Sequence, residues 1–267
     1  MPKWTLATVL AHPDDETFGV GGTLIRYAKE GALVHSLCLT EGEKGWAGPQ
    51  DAPIVPREQV GPTRAKELAE AGRRMGLASV TCLKYPDGRL AGVRESLVVN
   101  DIVRWLRRIR PDIVIGWGPD GGYGHPDHIA AGERALRALE LAGIQRYEPA
   151  LGEHFHVKRC YRMVAAADFV DKLSSVVPDF AQYVETLETK PQRWTRERLG
   201  AAIDITGVVD QKIEAMRAHA TQAPDLAMWR DARERLPNLF TEETYVRAFP
   251  DPGGPPLETD LFAALRS

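Results

Sequence analysis

The sequence predicts an α/β protein with a doubly wound, mostly parallel sheet, built as a single domain with a C-terminal extension. Three observations carry this expectation. Four apolar runs of strand length recur through the first half of the chain: Trp4–Leu10, Leu33–Leu39, Ser79–Lys84 and Asp112–Trp117. Segments with helical spacing of apolar residues lie between them, so neighbouring strands are joined by crossovers. The runs are also close to continuously apolar, as strands covered on both faces must be.

In order, Thr23–Glu30 reads as the helix after the first strand, closed by Gly31. Thr63–Met75 follows the second strand, with Leu68 and Met75 on its apolar side and Gly76 as its stop signal. Ser96–Ile109 places Leu97, Ile102, Val103, Leu106 and Ile109 at helical spacing and stops before Pro111. Ile129–Leu141 is the helix after the fourth strand. Beyond Gly143 the pattern weakens. Arg159–Ala166, Ala201–Ile205 and Tyr245–Phe249 read as further strands, and Val208–His219 as a helix with Val209, Ile213 and Met216 on one side. Two stretches resist regular structure. Glu41–Val60 is rich in glycine and proline, and long loops of this kind usually serve function. Phe249–Pro256 is the second, so the domain runs over residues 1–249, with a Pro/Gly linker and short tail over 250–267. The tail, Leu257–Leu265, is amphipathic. It has two candidate seats, its own chain or a neighbouring copy, and the second implies a homo-oligomer.

A length of 267 residues with 43% hydrophobic residues supports a sizeable core, and a formal net charge of −3 offers no electrostatic case for nucleic acid. No apolar run approaches the roughly 18 residues of a membrane span. Cys38, Cys82 and Cys160 are scattered singly in apolar runs, which reads as reduced core thiols. With no signal-peptide layout at the start, the expected location is cytoplasmic.

Metal-ligand chemistry is concentrated at two strand-to-helix junctions. The first strand runs into Ala11-His12-Pro13-Asp14-Asp15-Glu16, and the fourth is followed by Gly124-His125-Pro126-Asp127-His128. Ligands of open parallel sheets bind beyond the carboxyl ends of the strands, where both stretches fall. Three acids near a helix start also have a bland reading, since negative charge suits that end of the dipole. Adjacent helical residues, however, point about 100° apart. Asp14 and Asp15 therefore cannot play the same part. One can bind a metal with His12 while the other faces the metal's ligand. At the second junction, Asp127 lies between two histidines and suits the orienting of one of them. Gly118, Gly121, Gly122 and Gly124 put Tyr123 on a pliable loop. Together His12, Asp15 and His128 make a His₂Asp set, which with an open fourth position describes a catalytic zinc site. Two histidines and a carboxylate also describe a non-haem iron site. The unused acid beside the set favours hydrolysis over oxygen chemistry. Sharing one ion requires the His12 and His128 imidazoles to lie within about 6 Å of each other. The glycines at 19, 21 and 22 lack the G-x-G-x-x-G order of a dinucleotide loop and are expected to permit close helix–sheet packing. His154 and His156, flanking Phe155, read as one face of a strand, and His35 as structural.

These motifs carry a resemblance. AHPDDE (Ala11–Glu16) with GHPDH (Gly124–His128) resembles the LmbE-like (PIG-L) N-acetylglucosaminyl deacetylases, over at least residues 4–142. That family consists of zinc hydrolases on a Rossmann-like fold. It includes deacetylases of mycothiol and bacillithiol biosynthesis, amidases of mycothiol conjugates, and enzymes acting on chitobiose or glycopeptide antibiotics. The resemblance implies one Zn²⁺ per chain on His12, Asp15 and His128, with Fe²⁺ or another divalent ion as the alternative. It implies Asp14 as the base for the zinc-bound water and His125, oriented by Asp127, as the group that stabilises the oxyanion or protonates the amine. Tyr123 matches a loop tyrosine that polarises the carbonyl, and Arg64 and Asp87 match sugar contacts. The partner implied is a small-molecule N-acetylated sugar or conjugate. Further along, Lys212, Ala215, His219 and Gln222 resemble a K-x-x-A-x-x-x-H-x-S-Q signature, with Thr221 in place of Ser. A polar solvent face of a helix is the competing reading of Lys212 and His219. The expected reaction is metal-assisted amide hydrolysis, with the amine's proton returned by Asp14 or His125. The alternatives are an amidase on a thiol conjugate or antibiotic-like amide, a non-catalytic metal- or sugar-binding domain, and a nucleotide-binding protein.

Overall fold

The computed structural model describes residues 4–49, 51–186, 192–250 and 256–266. Among these residues, seven strands form one sheet: β1 (Thr5–Leu10), β2 (Leu33–Thr40), β3 (Ser79–Tyr85), β4 (Ile113–Trp117), β5 (Arg159–Met163), β6 (Ala201–Asp204) and β7 (Glu242–Phe249), in the order β3-β2-β1-β4-β5-β7-β6. The first five are parallel, and β7 runs antiparallel to both β5 and β6. Helices connect them: α1 (Asp15–Phe18), α2 (Gly21–Lys29), α3 (Val60–Met75), α4 (Glu95–Ile109), the irregular turn α5 (Gly121–Gly124), α6 (Pro126–Ala142), α7 (Ala167–Val176), α8 (Pro178–Thr186), α9 (Val209–Met216), α10 (Ala223–Arg235) and the short α11 (Ala263–Arg266).

Burial explains the strand composition. Leu6, Val9, Ile113, Val114 and Ile115 are inaccessible to solvent, because helices cover both sheet faces. The strand order reverses direction between β1 and β4. Right-handed crossovers then place α2 and α3 on one face and α4 and α6 on the other. The same reversal opens the crevice where doubly wound sheets bind ligands. Both sequence motifs leave the sheet at that point, one from β1 and one from β4.

Local signals set the ends of several elements. Gly76 closes α3 in a left-handed conformation, φ 77°, with its N–H returned to Arg73 and Gly72 carbonyls. His125 caps α6 through its side chain, and Pro126 fills the first helical position. The glycines before α2 permit close approach, as expected: a Cβ on Gly22 would lie 2.6 Å from the Ile205 side chain. The N-terminus of α2 is already filled by a protein carboxylate. Glu243 accepts the Gly22 and Thr23 amides at 2.9 and 2.8 Å and pairs with Lys212 Nζ at 2.6 Å. The position a nucleotide phosphate would take is therefore occupied.

The C-terminal third departs most from expectation. α7, α8 and α10 are helices that the weak periodicity did not reveal, and β5 stops at Met163 instead of continuing to Ala166. α7 and α10 share a small separate cluster, Leu173, Val177, Ala232 and Leu239, with Phe169, Trp229 and Phe240 against it. So small a buried patch needs no long apolar stripe. His154 and His156 lie in the irregular segment before β5, not on a strand face. His35 is hydrogen-bonded to Ser79 Oγ at 2.7 Å.

The tail seats on its own chain. Leu261 and Phe262 are fully buried, and Phe262 packs against Trp4 and Tyr27 with ring centroids 5.7 and 5.0 Å apart. Glu258 exchanges backbone hydrogen bonds with Gly200 and Ala202 at the β6 edge, and its carboxylate pairs with Arg159 and Arg247. An exposed sheet edge is thereby covered. The expected linker falls largely on residues 251–255, outside those described. Among the described residues, no helix is long and apolar enough to cross a membrane.

Candidate metal centre

The two junctions meet at the crevice. His12 Nδ1 lies 3.0 Å from His128 Nε2, well inside the separation a shared ion requires. Asp15 Oδ1 is 3.4 Å from the same His128 nitrogen. Ligand atoms on a tetrahedral ion with bonds of about 2.1 Å stand about 3.4 Å apart, so both spacings suit one ion.

Hydrogen bonding decides which atoms can serve as ligands. His128 Nδ1 is 3.0 Å from the Gly121 carbonyl and donates to it, leaving Nε2 with a lone pair. His12 Nε2 faces carboxylates, Asp87 Oδ1 at 3.1 Å and Asp127 Oδ2 at 3.4 Å, so it carries the ring proton and leaves Nδ1 bare. With both rings neutral, two bare nitrogens face each other at 3.0 Å, a gap that either a shared proton or a metal ion fills. The same preference for positive charge appears in the acidity of His12. Burial would lower its pKa, but the Asp127 and Asp87 carboxylates outweigh burial and raise it to about 10. Asp15 is held far below the ordinary carboxylate range: burial opposes ionisation, but His128, His12 and backbone donors overcome it. Its Oδ2 accepts the Ala11 and His12 amides at 3.0 and 2.9 Å and Trp117 Nε1 at 2.9 Å, which leaves Oδ1 for an ion. His12, Asp15 and His128 are all buried. Two of the spacings in this set suit one ion, His12 to His128 and Asp15 to His128.

Other groupings come close in space. The imidazoles of His12, His125 and His128 are mutually within ligand reach, as are His12, Asp87 and Asp127. Their hydrogen bonds argue against both. His125 Nδ1 accepts the Asp127 amide at 3.2 Å, so its Nε2 bears the proton and acts as a donor. Asp87 and Asp127 sit on the proton-bearing side of His12 and fix its orientation, as carboxylates behind metal-bound histidines do.

Asp14 stands apart from its neighbours. It is partly exposed to the cleft, with φ 110° and ψ −30°, a left-handed backbone uncommon for any residue but glycine. Its Oδ2 accepts from Arg64 at 2.8 Å. Burial pushes its pKa up to about 7, against the opposing pull of Arg64. His125 and Tyr123 are also partly exposed. The Tyr123 ring stands edge-on to His125 and His128, with centroids 5.9 and 5.3 Å away. Gly121, Gly122 and Gly124 are all left-handed, so this turn depends on having no Cβ there.

Two expectations and one competing reading need correction. Asp127 does not orient His125 through its carboxylate. Its oxygens accept the Leu90 and Gly88 amides at 2.9 and 2.6 Å and approach His12, and only its backbone amide reaches His125. The cause is position: the side chain leaves the first turn of α6 toward the loop after β3. Arg64 and Asp87 are buried supports instead of open sugar contacts. Arg64 spends its terminal nitrogens on the Gly42 and Pro13 carbonyls and on Asp14, while Asp87 accepts the Lys44 amide at 2.8 Å besides facing His12. Lys212 and His219 are not on a solvent face. Lys212 pairs with Glu243 and His219 with Glu16, while Thr221 gives its amide and hydroxyl to Glu67 at 2.9 and 2.6 Å. The C-terminal signature is a row of clasps onto acids elsewhere in the chain.

Sequence reasoning missed Trp117 as a functional neighbour. Its indole stacks on His128 with centroids 3.8 Å apart and holds Asp15. The signal that could have found it is a tryptophan ending the strand before a glycine-rich turn. Asp120, which accepts from the Gly122 amide, the Gln192 amide and Trp194 Nε1, anchors the Tyr123 turn and gave no local signal.

Comparison with known proteins adds independent findings. The family described as PIG-L, GlcNAc-PI de-N-acetylase, matches residues 7–139. The 1D-myo-inositol 2-acetamido-2-deoxy-alpha-D-glucopyranoside deacetylase of Streptomyces griseus is 34% identical, over 99% of this chain and 90% of its own. Among solved structures, the N,N'-diacetylchitobiose deacetylase of Pyrococcus horikoshii superposes with TM-score 0.68 at 20% identity, covering 91% of this chain and 83% of that one. The 4-carboxy-2-hydroxymuconate hydratase GalB of Pseudomonas putida KT2440 superposes with TM-score 0.67, also at 20% identity, over 92% of this chain and 97% of that one. Two chemistries on one fold mean that the site, not the fold, must decide the reaction.

Proposed function

This chain belongs to the PIG-L family of GlcNAc-PI de-N-acetylases, and from that premise we propose that it is a metal-dependent hydrolase removing the acetyl group from an N-acetylglucosaminyl conjugate. A GlcNAc-inositol is the first substrate to test, because the Streptomyces griseus relative is named for one. The observation that carries the reading is the 3.0 Å approach of His12 Nδ1 and His128 Nε2, with an Asp15 oxygen 3.4 Å from the latter. Zinc is the ion proposed for that set.

When bound, the ion supplies a water acidified from a pKa of 15.7 toward about 7 and a Lewis acid for the amide carbonyl. The chain's own residues do the rest. His12, Asp15 and His128 hold the ion. Asp14, partly exposed next to Asp15, takes the proton of the attacking water. His125 presents its Nε2–H to the cleft, where it donates a hydrogen bond to the oxygen that gains charge. Tyr123 lies beside it on a turn that can follow the substrate. Burial, with His128 and His12 close by, lowers the His125 pKa to about 4 and keeps it neutral, so it serves as a donor to the oxyanion and Asp14 returns the proton to the leaving amine. Arg64 steadies the Asp14 carboxylate from behind.

The test is acetate release from GlcNAc-inositol and from N-acetylglucosamine by zinc-loaded protein, with Asp14→Asn as control. The reading expects turnover that the control lacks. Full zinc loading with no acetate released from either sugar would refute it.

A further inference from the structure

Glu16 closes the first motif, yet no step proposed above uses it. It is 1% exposed and His219 is 0% exposed. Each Glu16 oxygen has its own partner. Oε2 accepts the backbone N–H of Asp14 at 3.0 Å, and Oε1 accepts from His219 Nε2 at 2.7 Å. The two residues are 203 positions apart, so a residue just past α9 reaches the N-terminal junction through one carboxylate.

Asp14 gives that contact its meaning. Its φ of 110° is one that side-chain-bearing residues rarely adopt, and such a backbone persists only where the surroundings over-determine it. Part of the hold is local: Asp14's carbonyl accepts the Thr17 and Phe18 amides and the Thr17 hydroxyl. The amide side is held by Glu16, which reaches back two residues. Glu16 must keep that oxygen as an acceptor while buried beside two other acids. An N–H donor on its second oxygen lets it do so.

His219 is built for that one contact. Its Nδ1 is buried and has no hydrogen-bond partner among the described residues, so among them Glu16 is the only hydrogen-bond partner of the ring. Around it are aromatic neighbours: Phe18 lies 6.5 Å away between centroids and stacks in turn on Trp229. Burying an unpartnered nitrogen is costly, and an apolar side chain would avoid that cost. The donor to Glu16 is what a histidine adds at this place.

We propose that Glu16 and His219 are positioning residues that lock the Asp14 backbone in its left-handed conformation, and so aim its carboxylate at the metal-side cleft. The catalytic half of this claim rests on the function proposed above; the conformational half does not. His219 lies outside residues 7–139, the stretch matched by the family, so the aim of the proposed base is set from the far half of the chain.

The test compares zinc-loaded wild type, His219→Leu and His219→Gln by crystal structure, metal content, and kcat and KM on the acetylated sugar. His219→Leu removes the donor. His219→Gln keeps an N–H near the position of Nε2. The expected result for His219→Leu is an Asp14 φ that has left the left-handed region and a kcat about 100-fold lower, the scale of a misplaced reacting group. Metal content and KM stay at wild-type values. His219→Gln is expected to restore both the Asp14 φ and most of kcat. If His219→Leu does not fold, His219→Asn, whose amide is too short to reach Glu16, takes its place. An unchanged Asp14 φ and kcat without the donor would overturn the proposal. So would a His219→Gln variant as impaired as His219→Leu, because packing alone would then explain the loss. If wild type releases no acetate, the functional reading fails, and the Asp14 φ in the same variants still decides the positioning claim.

Discussion

The two junctions leave adjacent strands at the same edge of the sheet, yet they are built in opposite ways. Ala11–Glu16 contains no glycine, buries every residue but Asp14, and is held by distant groups: Arg64 on α3, Trp117 on β4 and His219 past α9. Gly118–His128 is glycine-rich, has three left-handed glycines, and leaves Tyr123 and His125 partly exposed. It also makes hydrogen bonds within itself, Asp120 to the Gly122 amide, His125 to the Asp127 amide and His128 to the Gly121 carbonyl, beside those that Asp120 and Asp127 make to distant loops. One junction is a fixed platform for charge and the other an adjustable set of donors. A hydrolase needs both, since the ion and base must not move while the groups that meet the carbonyl must follow it.

Substitutions can break this contrast in order of severity. His128→Ala and Asp15→Ala remove ligands, so bound zinc, measured by elemental analysis, should fall from one per chain to near zero and turnover should vanish. A variant retaining stoichiometric zinc would show the ligand set is wrong. Asp14→Asn should keep the zinc and lose about 10³-fold in kcat, within the range for a removed general base. Loss of zinc instead would mean that Asp14 is a ligand and the platform has a different layout. His125→Ala should also keep the zinc, with kcat about 10²-fold lower, as for a lost oxyanion donor. It should cost about 1 kcal/mol in urea unfolding as well, because the same ring caps α6. Smallest of all, Gly122→Ala should lower kcat/KM by about tenfold at constant zinc. Its φ of 78° disfavours a side chain, and the added Cβ would lie 2.9 Å from the Trp117 ring. Unchanged kinetics there would argue that the turn need not adjust.

The contrast also marks what the sequence made legible. β1 to β4 and their crossovers were readable because strand burial and helix periodicity are written in neighbouring residues. That His12, Asp15, His125 and His128 come together was readable too, because they sit in two short motifs. The partners of those residues were not readable. Asp127 was expected to serve its neighbour His125 and serves His12 from across the crevice. Lys212 and His219 stood out as part of a signature, but a polar helix face could compete as a reading because a sequence does not show Glu243 and Glu16 as their partners. Arg64 and Asp87 were placed correctly near the site, but what they hold depends on carbonyls and amides of other loops. The proposed ligands are specified locally; what holds them is long-range and needs the fold.

The most direct measurement is the anomalous-scattering map of zinc-loaded crystals at the zinc edge. The account predicts one peak per chain, at about 2.0–2.2 Å from His12 Nδ1, His128 Nε2 and one Asp15 oxygen. A peak on the other side of His12, between Nε2, Asp87 and Asp127, or no peak at the two junctions, would contradict it.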